Sequence, residues 1–178
     1  MGKVYVNVAV SLDGYLAPEG MTLEHFDDPG YQDWGAKWGA LMGWALDQQY
    51  LREKLKFGEG GETGPGNDLV RATFERTGAQ VMGKRMFDGG ERGWPEEAPF
   101  HTPVYVLTHE RRAPWPRPGG TVFHFVNDGP QAALALAREA AGRRDIRISG
   151  GAEVIQQYLN LGVVDELEIA LVPVLFGG

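Results

Sequence analysis

The sequence predicts an α/β fold, one domain over 1–178 with a mainly parallel sheet flanked by helices. Three observations carry that prediction. Short apolar runs of strand character alternate with segments of helical period, giving four β-to-α units after the first strand. The chain opens with a clean alternation, Val4, Val6, Val8 and Val10 on one face against Tyr5, Asn7 and Ala9 on the other. Near the end, an apolar run from Ile146 leads into Ser149-Gly150-Gly151, and a helix with one stripe of Val154, Ile155, Tyr158 and Leu159 starts at once.

Each element follows in order. After the strand Lys3–Val10, Asp13-Gly14 turns the chain into a Gly- and Asp-rich loop that runs to Gly30. From Tyr31 to Phe57, Trp34, Trp38, Leu41, Met42, Ala45 and Leu46 fall at helical spacing, while Gly35, Gly39 and Gly43 weaken the helix. The four-residue spacing of those glycines suits a closely packed neighbouring backbone. Lys54 to Gly66 reads as a loop. Asn67 or Asp68 caps a helix that Gly78 stops, and Ala79–Met82 is a short strand. Gly83–Phe87 begins a second helix ended by Gly89-Gly90, and Asp88–Pro103 reads as a long loop. Val104–Thr108 and Thr121–Val126 are strands. Asp128 caps an alanine-rich helix over Gly129–Ala141, and Asp145–Ser149 and Asp165–Val172 are the last two strands.

Composition excludes several function classes. Hydrophobic residues at 43% and charged residues at 23% suit a water-soluble globular chain. No apolar run is long enough to span a bilayer, and the start reads as a strand rather than a signal peptide. With no cysteine there is no disulfide framework or thiolate metal site, which fits a cytoplasmic protein. A formal charge of −7 argues against nucleic acid as a partner. It leaves room for an anionic small molecule held by local arginines. The four histidines lack zinc spacing, and neither serine, Ser11 or Ser149, stands in a nucleophile elbow. Gly78 with Gly83-Lys84 imitates a phosphate-binding loop, but Arg85 stands where a magnesium-binding hydroxyl belongs.

Three places survive. Met82-Gly83-Lys84-Arg85 puts a glycine and two cations where a helix follows a strand. Leu107-Thr108-His109 with Arg111 and Arg112 puts a hydroxyl and cations at the end of the next strand. Ser149-Gly150-Gly151-Ala152 opens a helix whose first amides lack partners and carry partial positive charge. In a parallel sheet all three lie along the carboxyl edge, where ligands of open α/β sheets bind. Each cation alone could be plain surface charge; the set points to an extended polyanionic nucleotide.

Here the sequence resembles a known family. SLDGYLA after the first strand, then VMGKRMFDGG, PVYVLTHERR and ISGGAEVIQQYLNLGVVDELEIALVPVLFGG resemble the dihydrofolate-reductase-like family. Within it they are most similar to the riboflavin-biosynthesis branch, the C-terminal reductase domain of the bifunctional deaminase/reductase. The resemblance covers the chain apart from roughly 24–66. It implies an NADPH-dependent reductase with a mainly parallel sheet and an antiparallel C-terminal strand. It implies that Gly83, Lys84, Arg85 and Met86 hold cofactor phosphates, that Thr108, His109 and Arg111 meet the adenosine and its 2′-phosphate, and that Gly150, Gly151, Ala152 and Val154, beside Ser149, take the pyrophosphate. Ala9 and Leu16 would flank the nicotinamide. The family continues beyond PVLFGG into a hairpin, so the resemblance also leads one to expect an open sheet edge and a homodimer.

The expected substrate is a small heterocycle, foremost 5-amino-6-(5-phosphoribosylamino)uracil. A pteridine of the dihydrofolate type and non-catalytic NADPH binding are the alternatives. Asp13 is the candidate catalytic contact beside the nicotinamide, and equally a plain Asp-Gly turn residue. Asp33, or Asp27 or Asp28, could bind a ring edge by paired hydrogen bonds, and Trp34 or Trp38 could stack on the ring.

Overall fold

The computed structural model describes residues 1–21 and 31–177, with only the backbone of Tyr31 and Gln32. Asp27 and Asp28 lie outside the described residues. The strands are β1 (Val4–Ser11), β2 (Thr77–Gly83), β3 (Pro103–Leu107), β4 (Trp115–Pro116), β5 (Val122–Val126), β6 (Asp145–Gly150) and β7 (Glu166–Val172). The helices are α1 (Tyr31–Leu46), α2 (Gln49–Leu55), α3 (Pro65–Arg76), α4 (Lys84–Gly93), α5 (Pro130–Ala141) and α6 (Ala152–Asn160). One seven-stranded sheet runs in the order β4-β5-β3-β2-β6-β1-β7.

The sheet is parallel except where β4 pairs with β5. The expected antiparallel last strand is therefore corrected: β7 runs parallel to β1, from Tyr5 opposite Glu166 to Ser11 opposite Val172. The reason is the connection. α6 carries the chain back along the sheet after β6, so the next strand enters in the same direction. The antiparallel pair lies at the opposite edge, where β4 comes from the proline-bearing stretch between β3 and β5.

Period-2 patterning gives the sheet two unlike faces. Val4, Val6, Ile146 and Ile148 face α5 and α6, where Ala133, Leu134, Ala137, Val154, Ile155 and Tyr158 complete an apolar core. Alanines at four-residue spacing keep one side of α5 thin enough to lie close on the strands. The other face is mixed. Toward β5, Phe87 of α4 packs edge-on against Phe123 and Phe125, and Trp94 stacks on Phe123 at 5.3 Å between centroids. The segment that read as a loop from Asp88 thus contains most of α4 and a core aromatic. Toward β7, Ala9, Leu41, Val172 and Phe176 cluster beneath α1.

Boundaries moved where capping was misread. Gly64, not Asn67 or Asp68, precedes α3, with Pro65 at its first turn. Buried Asn67 instead accepts a hydrogen bond from the Tyr50 amide at 2.8 Å and ties α2 to α3. Gly129 and Pro130, not Asp128, open α5. The glycine stripe of α1 is also corrected. A methyl group added at Gly35, Gly39 or Gly43 would meet nothing within 4 Å among the described residues, so no described backbone packs into it.

The start and end of the sheet are clamped by ions. Arg76 at the end of α3 reaches Asp145 at 2.7 Å, Glu166 at 2.5 Å and Glu168 at 2.9 Å, and lies 4.1 Å above the Tyr5 ring. Lys3 also pairs with Glu166. Bonds from Lys3 and Arg76 hold the Glu166 carboxyl well down, to about 2 from an ordinary 4.5. A lowered carboxylate adds stability above its unfolded value and loses it as pH falls through the folded one. Stability is therefore expected to drop between roughly pH 4.5 and 2, and Arg76→Met should flatten that drop. Urea unfolding across this pH range, compared between the two chains, checks it.

Candidate functional site

The carboxyl ends of β1, β2, β3 and β6 form one rim, and its centre is a close backbone approach. Gly83 ends β2 against the turn between β6 and α6. A Cβ built on Gly83 would lie 2.9 Å from Val154 Cγ2 and 3.6 Å from the Gly151 amide nitrogen. Two helix starts meet because of it. Gly83 is the N-cap of α4 and Gly151 that of α6, and neither end receives a side-chain capping bond. The peptide between Gly150 and Gly151 is cis, and Gly150 has a φ of 134° that favours glycine. Orphan amides of two helices thus open on one spot, a fit for a phosphate or pyrophosphate.

The structure sorts the expected cofactor residues by how free they are. Lys84 is engaged: its ammonium bonds Asp88 at 2.6 Å and Glu110 at 3.1 Å, and those carboxylates, Asp88 first, raise its pKa. Arg112 is bound to Glu91 at 2.7 Å and lies over Phe87, Trp115 and Phe125. Arg85 and Arg111 are exposed, and neither makes an ion pair among the described residues. Met86 packs on the aromatic cluster, its sulfur 3.1 Å from where a Gly150 Cβ would stand. Thr108 accepts a bond from the Glu110 amide at 3.0 Å and shapes the turn that carries exposed His109. Asn127, which the sequence reading passed over, braces that turn by donating to the carbonyls of Thr108 and Glu110, both at 2.9 Å. Buried Ser149 donates to Gln80 at 2.7 Å. Its hydroxyl serves the sheet rather than the rim. Ala152 is exposed in the first turn of α6, while Val154 is buried beneath it.

Asp13 has a different part from the catalytic one expected. One carboxylate oxygen accepts from the Ser11 hydroxyl at 2.6 Å; the other accepts from the amides of Phe176 at 2.9 Å and Gly177 at 2.8 Å. The Ser11 bond, followed by these amides, holds the carboxyl below its ordinary value. A carboxylate so engaged is no proton donor near neutrality. It latches the C-terminal PVLFGG segment to the turn after β1, beside Ala9, while Leu16 lies in the loop that this turn begins. Asp33 is exposed in the first turn of α1. Trp34 lies one position on, 3.5 Å from a Cβ built at Gly20. Asp13→Ala should release the segment, read as faster hydrogen exchange at the amides of Phe176 and Gly177. Gly83→Ala should cost about 1–3 kcal/mol by overpacking against Val154, read by denaturant unfolding.

No helix among the described residues is long and apolar enough to cross a membrane. Comparison with known proteins gives the family directly. Residues 2–178 match the family described as the RibD C-terminal domain. No curated protein matches the chain. Among solved structures, the chain is similar to a putative riboflavin biosynthesis protein from Shewanella sp. PV-4. The TM-score is 0.58 at 22% identity, over 100% of this chain and 80% of that one. It is also similar to Acinetobacter baumannii RibD, with a TM-score of 0.50 at 15% identity, over 100% of this chain and 48% of that one. At such identities these likenesses speak for the fold, while the family match speaks for descent. The chain belongs to the RibD C-terminal domain family.

Proposed function

We propose that this protein is an NADPH-dependent reductase of a small heterocycle, foremost 5-amino-6-(5-phosphoribosylamino)uracil. The observation that carries the reading is the meeting of two uncapped helix starts at Gly83 and Gly151, with Arg85 and Arg111 exposed and without an ion pair among the described residues. Bound NADPH supplies a hydride to the substrate. The chain's own work is placement. The amides at the α4 and α6 starts offer hydrogen bonds and partial positive charge to a pyrophosphate. Arg85 and Arg111 add full charges that suit a 2′-phosphate. The Asp13 latch fixes the C-terminal segment, whose Phe176 packs on Ala9 of β1. Placement of donor and acceptor carbons is most of what a hydride transfer asks of a protein.

The resemblance also suggests a homodimer, and the structure offers it a face. β7 is an edge strand with Leu167 50%, Ile169 54% and Leu171 63% exposed. An alternating apolar row on a sheet edge invites pairing.

Titration with NADPH and NADH, following nicotinamide fluorescence, tests the cofactor. NADPH is expected to bind at least about tenfold more tightly, and Arg111→Ala should remove most of that preference, since a charge-assisted phosphate contact is worth about that factor. NADPH oxidation with the phosphoribosylaminouracil tests the substrate. Turnover of dihydrofolate alone would move the assignment to a pteridine, and binding without turnover of either would leave a nucleotide-binding protein.

A further inference from the structure

The sheet face beneath α1 and α3 carries a charge that neither the fold nor the cofactor rim uses. Arg147 lies in mid-β6, opposite Tyr5 on one side and Gln80 on the other. It shares its face with Tyr5, Asn7 and Ala9. It lies three positions before Gly150, a distance of roughly 10 Å along the strand. A guanidinium has five N–H donors. Here only Nη2 finds acceptors, both on Asn7: the side-chain oxygen at 3.3 Å and the carbonyl at 3.5 Å, long for such bonds. Nε is buried without a partner. The Phe74 ring lies 6.0 Å from the guanidinium carbon.

Glu168 attracts this cation from a distance, but among the described residues no carboxylate bonds it. Glu168 is nearest in kind, but its oxygens serve the Asn7 amide at 2.8 Å and Arg76 at 2.9 Å. No ion pair involves Arg147 among the described residues, although Arg76 on the same face has three acidic partners. Burial pushes the guanidinium below its ordinary value, the direction expected for a charge short of partners. The residue is nonetheless partly open to solvent. A second buried donor without a partner, Trp44 Nε1 of α1, belongs to the group packed with Ala9 and Leu41 on this face. The Arg147 Nε is a donor, so what it lacks is an acceptor. The arginine further requires that the acceptor carry negative charge.

We propose that Arg147, between Asn7 and Phe74, is the binding residue for an oxyanion of the substrate, a phosphate or a carboxylate. The assignment deepens the reductase reading and rests on it only for identifying the anion's owner as the heterocyclic substrate. A planar fork with a free edge suits two coplanar oxygens.

Arg147→Met tests it, because methionine keeps the apolar stem and removes the charge. Ribose 5-phosphate serves as the phosphate probe and p-aminobenzoylglutamate as the carboxylate probe. Each is titrated by calorimetry with and without NADPH, so the arginine result stands apart from the cofactor result. At least one probe is expected to bind the wild-type chain and to bind Arg147→Met about 10- to 100-fold more weakly. NADPH affinity should change less than twofold. The melting temperature of the unliganded variant should stay level or rise, since an unpaired buried charge is lost. The probe that binds identifies the source of the oxyanion. Absence of binding by either probe to the wild type, or equal binding to both chains, would overturn the proposal. So would a fall in melting temperature without loss of affinity, the mark of a structural arginine. Failure of NADPH alone would instead count against the reductase reading.

Discussion

The contact between Gly83 and the Gly150-Gly151 turn is the constraint on which the rest of the rim depends. β2 and β6 are neighbours, and each delivers its chain into a helix on the opposite face of the sheet from the other. Two such exits side by side crowd one another. The absence of a side chain at Gly83 lets the Val154 methyl come close, and the absence of one at Gly151 leaves the amide exposed. A side chain at Gly83 would separate the helix starts and divide the positive potential between two weaker places. Local backbone freedom here becomes packing, and packing becomes an electrostatic feature of the surface.

The two sheet faces divide the remaining labour. The α5 and α6 face is apolar throughout its centre and needs nothing from a ligand. The other face holds the aromatic cluster at one end and a charged system at the other, with Arg76 gathering Asp145, Glu166 and Glu168 near the amino ends of the strands. A partly buried ion network is costly unless every member finds partners. Arg76 meets that condition and clamps the first strand, β6 and β7 together. Arg147 does not meet it, so the same physics assigns the two arginines different work.

The fold was legible because its signals are short-range. Alternation in Val4–Val10 and the apolar stripe of α6 declare their elements without tertiary information, and Gly150-Gly151 marks the turn between strand and helix. Trp94 and Trp115 were hidden because aromatic residues among prolines carry no period, and only stacking on Phe123 reveals their burial. The direction of β7 was misjudged because it follows from the α6 crossover, which its residues do not encode. Within the rim, residue types exposed the glycines and cations but not their availability. Lys84 and Arg85 read alike in sequence. Asp88 lies one helical turn away from Lys84, and that i,i+4 relation was the available signal that its charge is taken.

Asp13 shows most clearly why residue type alone cannot assign a role. An aspartate after the first strand, beside the expected nicotinamide, invites a chemical reading. Its oxygens are instead filled by a hydroxyl and two amides from a segment more than 160 residues away in sequence. Arg147 is the opposite case. Nothing in the run Ile146-Arg147-Ile148 sets that arginine apart, because an alternating strand normally turns its polar residue to solvent. Only the arrangement of Asn7, Glu168 and Arg76 shows that the available acceptors are already taken. In both cases function follows from which hydrogen bonds are already satisfied. A satisfied carboxylate holds structure together, and a cation short of acceptors is where a binding role is proposed.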